Sequence, residues 1–338
     1  MNIVSKLTGG RLNLARLGDA KGEAETLLEI AARRRPPRLV FVAANDEDRE
    51  RLFRGLFGAA RVVDEAASDG SPWHPKSIGE DRVEVLELDF DRAAPSRFRV
   101  ALDRCEADAV VMHVRAGDVD PAEQTLRGLV DAIDSGETAP PALVLVDDDG
   151  AGGALEARKR LRDAMHEIGF RALRVFIGGE GEGGASGFSA LSDALIEESP
   201  LRVRLTLCRI LPHGRRAREE VANRLVDAVS AVTMAVAITP IPLADAAVIT
   251  PLQTFMVGAI GYLSGRALDR KTVAEAFAAL GVVGAAGFGF RFVARQAVKV
   301  VPGAGSAVAA GIASSGTKAL GKAAIAYFLK QESTALRA

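Results

Sequence analysis

The stretch that decides the fold is residues 38–58, RLVFVAANDEDRERLFRGLFG. It opens with the apolar run Leu39–Ala43, which is typical of a buried strand, and continues into a polar turn. The residues that follow, Glu47–Phe57, repeat their apolar side chains at helical spacing. The segment therefore predicts a strand, a turn and an amphipathic helix. Four carboxylates crowd the turn and the start of the helix: Asp46, Glu47, Asp48 and Glu50.

The same alternation of apolar runs and amphipathic segments continues to about residue 200. Further strands are predicted at Val83–Phe90, Ala109–Val114, Ala142–Val146 and Leu173–Ile177, and further helices at Pro121–Ile133, Leu155–Ile168 and Phe188–Ile196. Continuous apolar strands that alternate with helices indicate an α/β fold, a mostly parallel sheet covered by helices. Two stretches are interpreted as mobile loops: the glycine-rich Gly178–Gly187, and the Gly/Ser/Pro segment around Trp73 and His74.

Composition narrows the function classes. The 338 residues carry 43 Lys and Arg against 44 Asp and Glu, so bulk charge argues against a nucleic-acid binder. Cys105 and Cys208 are far apart, which favours buried thiols in a reducing compartment. The histidines stand alone, without metal-ligand spacing, and no metal site is predicted.

A change in charge density divides the chain. Up to about Glu220 the sequence is rich in charged residues, whereas between Asp227 and Arg266 the one charged side chain is Asp245. We therefore predict an N-terminal helical leader at residues 1–36, an α/β domain at 37–205, and an all-α, glycine- and alanine-rich domain at 206–330.

The strand, turn and helix of residues 38–58 occupy the frame of a phosphate loop, G-x-x-x-x-G-K-[ST]. Aligning Leu52–Gly58 with the helix that follows this motif places Ala43 and Asp48 at the two glycines. Arg49 then stands at the lysine and Glu50 at the Ser/Thr. Carboxylates would face bound phosphates, and two like charges 4 Å apart repel by roughly 4 kcal/mol at an effective dielectric of about 20.

Residues 37–200 resemble the GTPase domain of the Era-like and dynamin-like group, in order and spacing more than in retained residues. Asp89 stands at the magnesium-associated aspartate of D-x-x-G, without the glycine, and three aspartates at 147–149 replace the guanine-reading N-K-x-D. Asp149 could fill its last acidic position. The resemblance thus implies four vestigial cofactor-binding positions: Arg49, Glu50, Asp89 and Asp149. No catalytic residue is predicted.

Every nucleotide-contacting motif is altered at once, which favours a GTPase-like domain without hydrolysis, a pseudo-GTPase that acts as a scaffold or regulator. No cofactor is then expected, whereas GTP and magnesium would be required by a working site. The alternative is an active, divergent GTPase coupled to the membrane, in which Arg49, Asp89 and Asp149 take over the usual roles.

The last third of the chain resembles the YcjF-type helical domain, whose function is unassigned. The resemblance rests on TPIPLADA (239–246), TPLQ (250–253), VPGAG (301–305) and AIAYF (324–328). It implies a bacterial protein associated with the inner membrane, with the α/β domain facing the cytoplasm. Ala246–Gly265 is uncharged over twenty residues, enough to cross a bilayer, although a soluble bundle uses the same small residues.

Basic residues flank these apolar segments, as in proteins that contact anionic lipid head groups. They are Arg266, Arg270, Lys271, Arg291, Arg295, Lys299, Lys318 and Lys322. The expected partners are therefore the membrane or anionic lipid and another protein, with a true GTPase as one candidate. A homo-oligomer formed through the helical domain is a further option, and a soluble interaction module is the third hypothesis for the whole chain.

Overall fold

The computed structural model describes residues 35–58, 62–65, 71–90, 107–132, 140–148, 153–170, 173–179, 182–238, 244–266 and 305–330. The chain divides into two compact units, of which one is Arg33–Arg218 and the other includes Glu219–Ala338. The unit that contains the sheet ends at Arg218, close to Glu220, where the charge density of the sequence changes. The predicted leader helix within residues 1–36 lies outside the described residues.

The α/β unit is built on a sheet of seven strands. They are β1 (Arg38–Ala43), β2 (Val62–Asp64), β3 (His74–Ile78), β4 (Asp81–Asp89), β5 (Ala109–Arg115), β6 (Ala142–Asp148) and β7 (Leu173–Gly179). Their order is β2-β3-β4-β1-β5-β6-β7, and β7 forms one edge. All pairs from β4 to β7 are parallel, whereas β3 runs antiparallel to β2 and β4.

Five helices accompany the sheet in the described part of this unit. They are α1 (Asp46–Phe57), α2 (Val119–Ala132), α3 (Gly153–Glu167), α4 (Glu182–Glu198) and α5 (Leu201–Ile210), and a 3₁₀ turn, Ala116–Asp118, precedes α2. Val40, Met112 and Val144 join the core formed with α2 and α3. On the opposite face, the Phe41 ring lies 5.6 Å from that of Phe53 in α1. The predicted fold class, a mostly parallel sheet covered by helices, is confirmed.

The predicted loop at Gly178–Gly187 is wrong, and the predicted loop around Trp73 and His74 is wrong at His74. The first two residues of Gly178–Gly187 end β7, and its last six open α4. Here the glycines permit close packing, because a Cβ on Gly187 would lie 2.7 Å from the carbonyl oxygen of Ile177. His74 begins β3, and Trp73 beside it is buried.

The second unit contains, from Glu219 onward, most of α6 (Arg215–Ile238), together with α7 (Ala244–Leu263), α8 (Gly305–Ile325) and a π-helical turn at Ala326–Lys330. Small residues let them approach: a Cβ on Gly321 would lie 2.4 Å from Val226 Cγ2. Within the unit, Gln253 Nε2 donates a hydrogen bond of 2.8 Å to Thr317 Oγ1, and both residues are buried.

Among the helices of the described residues, none is both long and apolar enough to span a bilayer.

Candidate functional site

The candidate site lies where β1 meets α1. The strand ends at Ala43 and the helix begins at Asp46, so only Ala44 and Asn45 connect them. In a phosphate loop, several residues between strand and helix curl their amides around the phosphates. Here the corresponding residues, Asp46 to Asp48, already form the first turn of α1.

Asn45 caps this helix and uses the groups that an anion would need. Its side chain accepts a 3.0 Å hydrogen bond from the backbone N–H of Asp48. In return, Asn45 Nδ2 donates to Asp48 Oδ2 at 3.0 Å. This reciprocal contact is a capping arrangement that satisfies one N-terminal amide of the helix, that of Asp48, from within the chain.

Arg49 is enclosed by carboxylates. Its guanidinium forms ion pairs with Asp89, the last residue of β4, and with Asp46 of its own helix. Arg49 Nε also lies 3.9 Å from Glu87 Oε2, and the arginine side chain is 12% exposed. The structure thus brings together two of the predicted positions, Arg49 and Asp89, as partners of each other.

The other two predicted positions are not part of this contact. Glu50 is exposed on α1 and pairs with Arg54 one turn later. Asp149 lies outside the described residues.

A second group of polar residues begins at Asp48, which is buried on α1. Arg115, at the end of β5, donates to Asp48 Oδ1 from Nε at 3.0 Å and from Nη2 at 2.6 Å. His113, two residues earlier on β5, is also buried, and its Nδ1 lies 3.8 Å from the same oxygen. Asp48, placed by sequence at the second glycine, therefore binds protein groups instead of leaving space for phosphate.

His113 continues the group to β6. Its Nε2 lies 3.0 Å from Asp147 Oδ2, although neither ring nitrogen forms a well-aligned hydrogen bond with a described residue. Arg51 Nη2 contacts the same Asp147 oxygen at 3.2 Å. Burial alone would raise the pKa of Asp147, but the nearby His113, then Arg51 and Arg115, more than offset it and lower that pKa.

Sequence reasoning missed this cluster of Asp48, His113, Arg115 and Asp147. A signal existed, because His113 and Asp147 lie near the carboxyl ends of apolar strands, where ligand sites of α/β sheets gather. The sequence did not reveal that β5 pairs with β6, and it is this pairing that sets Arg115 opposite Asp147. Within the described part of the chain, no group of three His, Cys, Asp or Glu residues is placed to hold a metal ion.

The strand order, with β1 between β4 and β5 and an antiparallel β3, defines an α/β fold with a mostly parallel sheet, in which β1 leads through a short turn into α1. No family model matches this chain, and no curated protein matches it.

Three solved structures illustrate what the chain is similar to. The small GTPase Arl6 (BBS3) of Trypanosoma brucei, with bound GppNp, is 16% identical, covers 49% of this chain and 100% of its own, and has a TM-score of 0.33. A GDP complex of an ADP-ribosylation-factor-like, SAR1-type GTPase from Encephalitozoon cuniculi is 18% identical. It covers 51% of this chain and 82% of its own, with a TM-score of 0.32. The G domain of the T. maritima FeoB iron transporter is 16% identical. It covers 48% of this chain and 99% of its own, with a TM-score of 0.30. At these values, no residue role and no ligand transfers to this chain.

Proposed function

We propose that the α/β unit is a GTPase-like domain that has lost nucleotide binding and acts as a scaffold or regulator through protein contacts. One observation carries the proposal. The connection from β1 to α1 is the two-residue turn Ala44–Asn45, and the place of a phosphate cradle is taken by a capped turn of helix.

Binding a phosphate at this turn would break several existing contacts, and each broken contact costs free energy. The Asp48 amide would have to leave the Asn45 side chain, which donates to the same residue in return. Arg49 would have to give up its contacts with Asp46 and Asp89. Each lost cap or ion pair costs about 1 kcal/mol, and the freed carboxylates would then repel the anion.

Local charge supports the same conclusion. Three carboxylates lie at the Arg49 guanidinium, those of Asp46, Glu87 and Asp89, and Lys76 Nζ also contacts Glu87 at 3.2 Å. Arg49 is already occupied by these carboxylates, and they would repel the phosphates of a nucleotide brought to the turn.

We further propose that the chain associates with the membrane through lipid contacts; this, and the Era-like and YcjF-type assignments, are supported by the sequence resemblance alone. Of the flanking basic residues, Arg266 lies 5.1 Å from the centre of the Phe328 ring, and Lys318 Nζ lies 2.9 Å from Asp227 Oδ1. Co-sedimentation of the full chain with vesicles tests this part. Binding to phosphatidylserine vesicles but not to phosphatidylcholine vesicles is expected, and equal recovery in the supernatant with both would contradict it.

Thermal unfolding of the full chain tests the loss of nucleotide binding. A ligand at one hundred times its Kd stabilises a protein by about 2.7 kcal/mol, so micromolar binding would raise the Tm visibly in millimolar nucleotide. We expect no shift with GTP, GDP or ATP in the presence of magnesium. A shift produced by a guanine nucleotide and lost in Arg49→Ala would support the divergent GTPase instead.

A further inference from the structure

The outer edge of β7 is a surface that plays no part in the proposed function above. β7 pairs only with β6 among the described strands and ends the sheet. An edge strand leaves the amide and carbonyl groups of alternate residues open for another strand. Over Leu173–Gly179, seven residues long, the sheet can therefore be extended.

This edge is the floor of a groove. The groove has a volume of about 530 Å³ and is lined by Arg158 and Arg162 of α3, residues 173–177 of β7, and Gly187 and Ala190 of α4. A side chain at position 187 would collide with the carbonyl of Ile177, so the glycine keeps this wall close to the strand.

The two walls differ in chemistry. Arg158 and Arg162 lie one turn apart on α3, and neither forms an ion pair with a described residue. The α4 wall presents Gly187 and Ala190, with Phe176 of β7 beside them. Arg174, two residues before Phe176 on β7 and therefore on the α4 side, is paired with Glu198 of α4 and does not offer a free charge there. Every charged residue that lines the groove is an arginine.

We propose that the β7 edge binds an extended, acidic segment of a partner protein by strand addition. Successive side chains of an added strand point to opposite faces of the sheet. Those on the α3 side would meet Arg158 and Arg162 and are therefore acidic, whereas those on the α4 side would meet Ala190 and Phe176 and are therefore apolar. The partner segment thus alternates carboxylate and apolar residues.

A second copy of this chain is a poor occupant, because pairing two β7 edges would bring the arginines of both copies together. The inference deepens the proposed function by naming a surface and a partner class, and it does not depend on the β1–α1 turn. If the protein bound nucleotide, the proposed function would be wrong, but the proposal for this groove would be unaffected. The two proposals can therefore fail separately.

Fluorescence anisotropy of the full chain with a labelled seven-residue peptide of alternating Glu and Val tests the proposal. We expect saturable binding at low salt that weakens as salt rises, and none with the matching Lys/Val peptide. Arg158→Glu with Arg162→Glu should weaken binding by about tenfold or more. Arg158→Gln with Arg162→Gln should give a smaller loss in the same direction.

The matched control is Arg82→Glu with Arg224→Glu, which makes the same charge change at exposed arginines outside the groove. This variant should bind like the wild type, and an equal loss of affinity would overturn the proposed site.

Strand addition itself is tested by two peptides, one N-methylated at the valines and the other at the glutamates. Only one set of alternate amides faces β7, so one peptide should lose binding and the other keep it. Equal binding of the two, or no binding of the parent peptide at millimolar concentration, would overturn the proposal.

Discussion

Arg49 in the first turn of α1 forms an ion pair with Asp89 at the end of β4. In the sequence alignment these residues stand where a GTPase places its phosphate-binding lysine and its magnesium-associated aspartate. Here the two positions satisfy each other, and Asp46 and Glu87 complete the surroundings of the guanidinium. These residues form an internal ion-pair network that joins α1 to the sheet.

This network makes Arg49 a structural residue. Arg49→Ala would leave Asp46 and Asp89 facing each other without the guanidinium, and we expect it to lower the free energy of unfolding by about 2 kcal/mol. Urea denaturation measures the change. Arg54→Ala is the control, because Arg54 and Glu50 form an exposed pair on the same helix and should contribute about 0.5 kcal/mol or less. Equal losses in the two variants would contradict the structural role.

Asp147 should contribute to acid sensitivity. Burial would raise its pKa, but His113, Arg51 and Arg115 lower it below the ordinary value. A carboxyl whose pKa falls on folding stabilises the protein above the unfolded pKa of about 3.9, and this contribution is lost as pH falls through the folded pKa.

Asp147→Asn should therefore flatten the decrease in unfolding free energy below about pH 4, measured by urea denaturation at a series of pH values. Asp163→Asn, a change at an exposed carboxylate on α3, is the control and should leave the slope as it is in the wild type. If both variants kept the wild-type slope, the protonation of Asp147 would not be coupled to unfolding.

Gly187 tests the contact between α4 and β7. A Cβ at this position would lie 2.7 Å from the carbonyl oxygen of Ile177 and 2.8 Å from Gly178 Cα. Gly187→Ala must displace the helix and should cost about 2 kcal/mol, seen as a lower Tm. Gly117→Ala adds a methyl group where nothing lies within 4 Å and should leave the Tm nearly unchanged. A wild-type Tm for Gly187→Ala would show that the contact is looser than described.

A buried hydrogen bond in the second unit gives a separate test. Gln253 Nε2 donates to Thr317 Oγ1, and Thr317→Val would leave that amide without this acceptor. We expect a loss of about 2 kcal/mol in unfolding free energy, of which adding Gln253→Leu should recover a large part. Simple addition of the two single-variant losses in the double variant would mean that the residues are not coupled.

The parallel strands could be predicted because their apolar runs are continuous and both faces of the sheet are covered. β2 and β3 could not be predicted in the same way. β2 has three residues, and β3 reads His-Pro-Lys-Ser-Ile, without an apolar alternation and with a proline. Their pairing with each other and with β4 depends on contacts between strands and not on local sequence.

The candidate site was predictable as a set of positions but not as a set of contacts. Counting from Leu52–Gly58 located Arg49, and the strand end located Asp89. A phosphate loop in that frame would extend to residue 48, whereas the helix was predicted from Glu47 and begins at Asp46, capped by Asn45. Asn45 is followed three residues later by Asp48, and this spacing between a capping residue and an acidic residue was the signal for an earlier helix start.

Calorimetric titration of the full chain with GTP, in the presence of magnesium, tests most directly the proposal that this domain does not bind nucleotide. GDP and ATP are titrated in parallel, and a known GTPase in the same buffer confirms that the nucleotide is competent. The capped turn at Asn45 and the Arg49–Asp89 pair predict no binding up to millimolar nucleotide. Micromolar affinity for GTP or GDP would contradict this account.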